Sequence, residues 1–260
     1  MIVDSNQTEF GYELIASVPF AYWLYENGKL EGVKSCKDTE CLYYFADNHE
    51  EYYTSRSELK KPHAPNAYIH RHELDLSMWK PPPYKEHFKN NRFVWEKPTL
   101  IVCNKFKDDG RNKIGIGISS LRNIFDKFSE KYTIIYNRPL HKNITHDDAG
   151  QVPIGDFELI RDEFSDSVFD INKIYEENND LTFNTMQMMI MANSDRFISC
   201  QGGTSILCSF FKGENIIYAY EGKELQCGSY DRWYNRLSGA KISHFPNIDQ
   251  VIEKASQSFL

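Results

Sequence analysis

The chain has 260 residues, of which 41% are hydrophobic and 26% charged, and its formal net charge is −7. The apolar content argues against a disordered chain, and the acidic balance argues against a general nucleic-acid binder, which needs a basic surface for phosphates. The length suits one large domain or two small ones.

In the first part, residues 2–3 predict a short strand. Residues 13–25 predict a helix, with Leu14, Val18, Ala21, Tyr22 and Tyr25 at helical spacing and Gly28 as a C-cap. Pro19 predicts a kink or a late start to that helix. The apolar run CLYYF at 41–45 reads as a buried strand, and residues 47–84 as loop with short helices. Pro81, Pro82 and Pro83 stiffen a segment taken as a linker, which gives a first domain over 1–97.

The second part alternates more clearly. Strands are predicted at 99–103, 132–136, 157–160, 196–200 and 215–220, with helices at 119–128, 184–192 and 205–211 between them. This domain spans 98–246, and an amphipathic helix at 249–258 dominates a terminal segment, 247–260. Short apolar strands alternating with helices imply a parallel sheet covered on both faces, hence an α/β fold.

The sharpest local feature is FISCQGGTS, a strand ending at Cys200 followed by Gln201, Gly202, Gly203, Thr204 and Ser205. Such a turn aims free main-chain N–H groups and a helix start at one point, which suits a diphosphate. It is equally an ordinary capped strand-to-helix turn. In a parallel sheet the loops holding Asn104 with Lys105, and Asn137 with Arg138, lie on the same edge. Lys105 and Arg138 read as phosphate ligands or as solvated charges. Glu221, after the strand NIIYAY, reads as an acceptor for ribose or sugar hydroxyls. Asp147 and Asp148 read as solvated. Glu13 is either a first-turn cap or a general base for an acceptor hydroxyl, and Asp47 and His49, just past CLYYF, are further candidates for that base.

Several chemistries lack their patterns. There is no GxxxxGK[ST], GxSxG, HExxH or strand-end DxD. The six cysteines include no CxxC pair, which fits a reducing compartment. His63, His70 and His72 cluster in sequence without zinc-like spacing, so no metal and no cofactor is expected. No basic stretch followed by an apolar run opens the chain and no segment approaches the ~18 residues of a membrane span, so the expected location is the cytoplasm.

The segments LIVCNKF, YTIIYNRP, NTMQMMIMANSDRFISCQGGTS and NIIYAYEG, together with the opening FGYELIASVPFAYWL, resemble GT-B glycosyltransferases, especially small ones of bacteria and large DNA viruses. The resemblance implies two Rossmann-like halves with parallel sheets, a cleft between them and a C-terminal helix crossing back. It further implies a nucleotide-sugar donor, UDP-linked before GDP-linked, and a glycan acceptor. Transfer would be metal-independent and, with a base from the first half, inverting; xylosyl transfer is one guess from the viral members. A non-catalytic nucleotide or glycan binder of the same fold is the alternative, and a metal-dependent hydrolase using residues 63–75 is a third reading.

Overall fold

A computed structural model of the protein describes residues 1–57, 59–67, 75–105, 107–108, 113–145 and 152–260. Among them, two parallel sheets form an α/β fold. The first sheet has three strands, β1 (Ile2–Asp4), β2 (Gly32–Cys36) and β3 (His49–Tyr53), in that spatial order. The connection from β1 to β2 is one long helical run: α1 (Phe10–Tyr12), a π-helical turn over Glu13–Ser17, and α2 (Val18–Glu26). Pro19 accounts for the irregular middle, because it has no N–H for the carbonyl four residues back. That carbonyl, on Ile15, instead accepts from Trp79 Nε1 at 2.7 Å, so the break also ties residue 79 onto the first half.

CLYYF is not a strand. Glu40–Tyr43 form a 3₁₀ turn that buries Cys41, Leu42 and Tyr43, and the strand lies at His49–Tyr53, in the segment read as loop. A short apolar run fits either geometry, whereas an edge strand with two glutamates in HEEYY hides its character because charged side chains suit exposed edges.

A short helix, α3 (Tyr84–His87), leads into the second half. There follow β4 (Thr99–Cys103), a small antiparallel ribbon of β5 (Lys107–Asp108) and β6 (Lys113–Ile114), α4 (Ile118–Phe128) and β7 (Thr133–Asn137). Next come α5 (Asp156–Glu163), β8 (Val168–Asp170), α6 (Ile171–Glu177), α7 (Phe183–Ala192) and β9 (Arg196–Cys200). The chain closes with α8 (Gly203–Ser209), β10 (Glu214–Tyr218), α9 (Lys223–Gln226), α10 (Ser229–Arg232), β11 (Lys241–Phe245) and α11 (Ile248–Phe259). The strand expected at 157–160 is part of α5, where Leu159 and Ile160 form the buried face.

The six strands lie in the order β11-β10-β9-β4-β7-β8, all parallel. Starting from β4, three strands are laid down to one side; the chain then returns through α6 and α7 and lays three to the other. This is the doubly wound order, and its direction switches between β4 and β9. Ligands of such sheets bind outside the carboxyl ends of the strands at that switch.

One apolar cluster joins the halves, running from Leu14, Val18 and Ala21 through α7 and α8 to Ile101 and Phe197. A second lies on the far face of the larger sheet, beneath α4, α5 and α11. The terminal helix therefore does not cross back as the resemblance implied. Val251, Ile252, Ala255 and Phe259 pack into that second cluster, Phe259 sits 6.3 Å from the Phe128 ring, and Tyr132 OH donates to the Phe259 carbonyl at 2.7 Å. Apolar positions three and four residues apart give this helix one apolar stripe, which is buried against the α4 side of its own sheet. Phe259→Ala should destabilise the fold by about 3–5 kcal/mol, read as a lower midpoint in urea unfolding.

Candidate functional site

The carboxyl ends of β4, β7, β9 and β10 lie side by side, with Cys103 opposite Asn137 and Ser199, and Cys200 opposite Tyr218. The expected loops thus share one edge. Their side chains divide into two groups.

Asn104, Asn137 and Arg138 belong to the scaffold. Asn104 Nδ2 donates to the Ile116 carbonyl and to Tyr136 OH, while its Oδ1 accepts from Ile116 N. Asn137 Nδ2 donates to Gln187 Oε1 at 2.9 Å in a fully buried position. Arg138 is 3% exposed; its Nη1 donates to both oxygens of Asp156, at 2.6 and 2.7 Å, and its Nη2 to the Val152 carbonyl. Tyr136 OH donates to the same carboxylate at 2.6 Å, and burial followed by Asp156 drives the Tyr136 pKa well above its ordinary value. Arg138 is therefore not available to a phosphate: its guanidinium is used on an internal acid, Asp156, the first residue of α5, which the sequence separation hid.

Lys105, Gly202, Gly203, Thr204 and Glu221 are accessible. Gly202 has φ +114°, a conformation L side chains rarely adopt, and a Cβ there would lie 2.7 Å from Lys105 Nζ. The ammonium thus sits against the turn that opens α8. Gln201 is 8% exposed and holds the neighbouring strand end, its Oε1 accepting from Tyr220 N at 3.0 Å and Glu221 N at 3.3 Å. Ser205 is buried and donates to the Gly202 carbonyl at 2.8 Å, so it fastens the turn and is not open to a ligand.

Gly203 serves the meeting of the two halves. A Cβ on it would come within 2.9 Å of Phe10 Cδ1 and 3.3 Å of Gly11 N, and one on Gly11 within 3.1 Å of Ile206 Cδ1. The starts of α1 and α8 are packed main chain to main chain, so the second glycine of the pair is required by packing.

The three expected bases are displaced. Glu13 is fully buried, paired with Arg56 at 2.7 Å and accepting from Tyr43 OH at 3.1 Å. Arg56 also donates to the carbonyls of Thr8 and, across the halves, Thr145. Burial is the largest influence and works against the Arg56 charge, but Glu13, with Cys36 and Tyr43, raises its pKa above the ordinary value. Such a pair is a structural tie, closed to an acceptor. Asp47 is exposed, and His49 begins β3, so both lie at the amino end of that strand. His49 Nε2 bonds Ser35 Oγ at 2.8 Å, and its burial lowers the imidazole pKa despite Glu51 nearby. His63 is exposed and hydrogen-bonded through its main chain to Asp4, and His70, His72, Asp147 and Asp148 lie outside the described residues. Among the described residues no cluster of three potential metal ligands occurs, and no helix is long and apolar enough to cross a membrane.

Sequence reasoning missed a group gathered around Tyr12. Lys61 Nζ lies 3.8 Å from the Tyr12 ring centre. Burial, then Glu9, raises the Tyr12 pKa, with Lys223 opposing and Glu224 adding to the rise. Carboxylates and ammoniums from both halves therefore converge beside the two helix starts. Lys61 and Lys223 lie in segments without periodicity, and no local pattern distinguishes them from solvated lysines.

No family model and no curated protein matches the chain. Among solved structures it is similar to the wall teichoic acid polymerase TagF, with a TM-score of 0.37 and 10% identity over 90% of this chain and 51% of that one. Two variants of that polymerase match with TM-scores of 0.32 and 0.37, each 11% identical over 91% of this chain and 53% of theirs. The chain spans about half the length of these structures.

Because Arg138 answers Asp156, Arg138→Met should lower stability by about 3–5 kcal/mol, as for removal of one partner of a buried pair. Chemical denaturation measures this. A variant of unchanged stability would return Arg138 to the pool of ligand-binding residues.

Proposed function

We propose that the chain is a glycosyltransferase that takes its donor as a nucleotide-sugar at the β4–β9 switch and passes the sugar to a glycan hydroxyl. The observation that carries this reading is Lys105 Nζ held against the Gly202 turn, where the main chain of α8 begins. An ammonium beside a helix start is electrostatically unfavourable on its own, since the helix end already carries partial positive charge. A diphosphate between them would turn two repelling groups into two ligands. Lys61 and Lys223, near Tyr12 at the same cleft, would extend that positive field within a chain whose net charge is −7. The arrangement suits departure of a nucleoside diphosphate, whose growing charge the lysines and amides would stabilise in the transition state.

Donor and acceptor would approach from opposite sides of the contact between α1 and α8. With Glu13 withdrawn into its pair with Arg56, the first-half carboxylate best situated for the acceptor proton is Glu9, which precedes α1 and acts on Tyr12. Direct displacement with inversion would require that base to act from the face opposite the leaving group. Displacement of the expected bases also keeps a second reading in play, a binder of the same donor without turnover. Release of nucleoside diphosphate from a nucleotide-sugar separates the two.

A thermal-shift series with UDP, GDP and their sugars, UDP-xylose included, should raise the melting temperature for one nucleotide, because a ligand of the native state stabilises it. Lys105→Ala should weaken that nucleotide roughly ten- to a hundredfold in calorimetry, the cost of a lost charge-assisted contact. Absence of any shift across the series would remove the donor site. Glu9→Gln should lower kcat by about 10²–10⁴-fold with donor affinity retained, measured as sugar transfer; a variant of full activity would exclude Glu9 as the base.

A further inference from the structure

The pairing of β10 with its neighbours ends at Tyr218, yet the chain beyond it is still held, and one side chain does the holding. Ala219 N donates to the Phe245 carbonyl at 2.9 Å. Tyr220 N and Glu221 N both donate to Gln201 Oε1, at 3.0 and 3.3 Å. Gln201 N in turn donates to the Tyr218 carbonyl at 2.9 Å, so main chain and side chain of this residue grip the same strand end. An amide oxygen has two lone pairs, and here each takes one of two successive main-chain donors. Rotation of the peptide at either residue would break a bond, so the carboxamide fixes the direction in which the chain leaves β10.

Gly222 follows at φ +101°, and a Cβ on it would come within 3.2 Å of Gln201 Nε2 and 3.3 Å of Glu224 Oε2. The head of Gln201 therefore lies along the chain from Tyr220 to Gly222, directly before α9 brings Lys223 and Glu224. Both of these reach the first half. Burial and then Glu9 raise the Tyr12 pKa, while Lys223 opposes the rise and Glu224 adds to it. Tyr12 follows Gly11, whose main chain packs on Gly203. Lys223 is exposed, and its long stem has much rotamer freedom to lose on meeting an anion. Its contribution to binding thus depends on a backbone set in advance. The residue that sets this backbone is also the one that precedes the Gly202 turn.

We infer that Gln201 is a positioning residue: by clamping the chain from Tyr220 to Gly222 it sets Lys223 beside the Gly202 turn as a second ammonium for the diphosphate. This role rests on the nucleotide-sugar reading above, whereas the clamp itself can be measured without any ligand.

Amide hydrogen exchange of the full chain, followed residue by residue by NMR, reads the clamp. Gln201→Met is equal in length but has no acceptor, and Gln201→Asn keeps the amide but stops one methylene short. Each should speed exchange at Tyr220 and Glu221 by about fivefold or more. Gln201→Glu, whose carboxylate still accepts, should leave it unchanged. Wild-type exchange rates in both the methionine and the asparagine variants would overturn the clamp and the inference. Calorimetric titration with UDP and with GDP reads the role. Lys223→Met should weaken the preferred nucleotide by roughly three- to tenfold in the wild-type and Gln201→Glu backgrounds. In the Gln201→Met and Gln201→Asn backgrounds the same substitution should cost less than about twofold, because coupled residues are not additive. An equal loss in every background, or no loss in the wild type, would overturn the inference and leave the donor reading standing. A wild-type chain that binds neither nucleotide would remove the donor reading, and this role for Gln201 with it, even with the exchange result as expected.

Discussion

Where Gly11 meets Gly203, main chain packs directly on main chain, and the placing of everything at the cleft follows from that contact. Two helices can approach this closely only where neither carries a side chain. The approach brings the start of the first half's long helix against the start of α8, and with it Glu9 and Tyr12 to the carboxyl edge of the larger sheet. The same contact fixes which surfaces remain open. Gly203 is spent on packing, whereas Gly202, one residue earlier, keeps its exposed face toward Lys105.

Two buried ion pairs hold the scaffold around that contact. Glu13 and Arg56 tie the π-helical turn to the segment after β3 and, through Thr145, to the second half. Asp156 and Arg138 tie the loop after β7 to α5, with Tyr136 as a third partner. Desolvating charges is costly, and close geometry with additional hydrogen bonds offsets much of it, so such groups are not free for other work. The groups left half-exposed are Lys105, Glu221 and Glu224 from the second half, with Glu9 and Lys61 from the first.

The division of labour has a geometric basis. In a doubly wound sheet the chain reverses its direction of growth once, and the crevice that results is lined by loops rather than by strands. Loops that end strands in the middle of the sheet are hemmed in by neighbours on both sides, and their polar side chains are consumed in holding the edge together, as with Asn104 and Gln201. A residue retains a free side chain only if it projects past that belt, as Lys105 does, or comes from the far side of the cleft.

The alternation of β4, α4, β7, α7, β9, α8 and β10 was legible in the amino-acid order, because buried parallel strands are continuously apolar, α4 carries a strong 3.6-residue period and α7 is an apolar run behind a Thr cap. The shared edge followed, since parallel strands end on one side. Short or exposed elements were not legible: five apolar residues at 41–45 suit a 3₁₀ turn as well as a strand, and the charged edge strand HEEYY looks like loop. Nor could the order say which polar side chains are used internally. Arg138 and Glu13 each find a partner far away in sequence, at Asp156 and Arg56, and pairing across that distance is decided by packing alone. The terminal helix makes the same point, for its apolar stripe fixed that it must bury a face, while only the folded chain determined that the face meets Phe128.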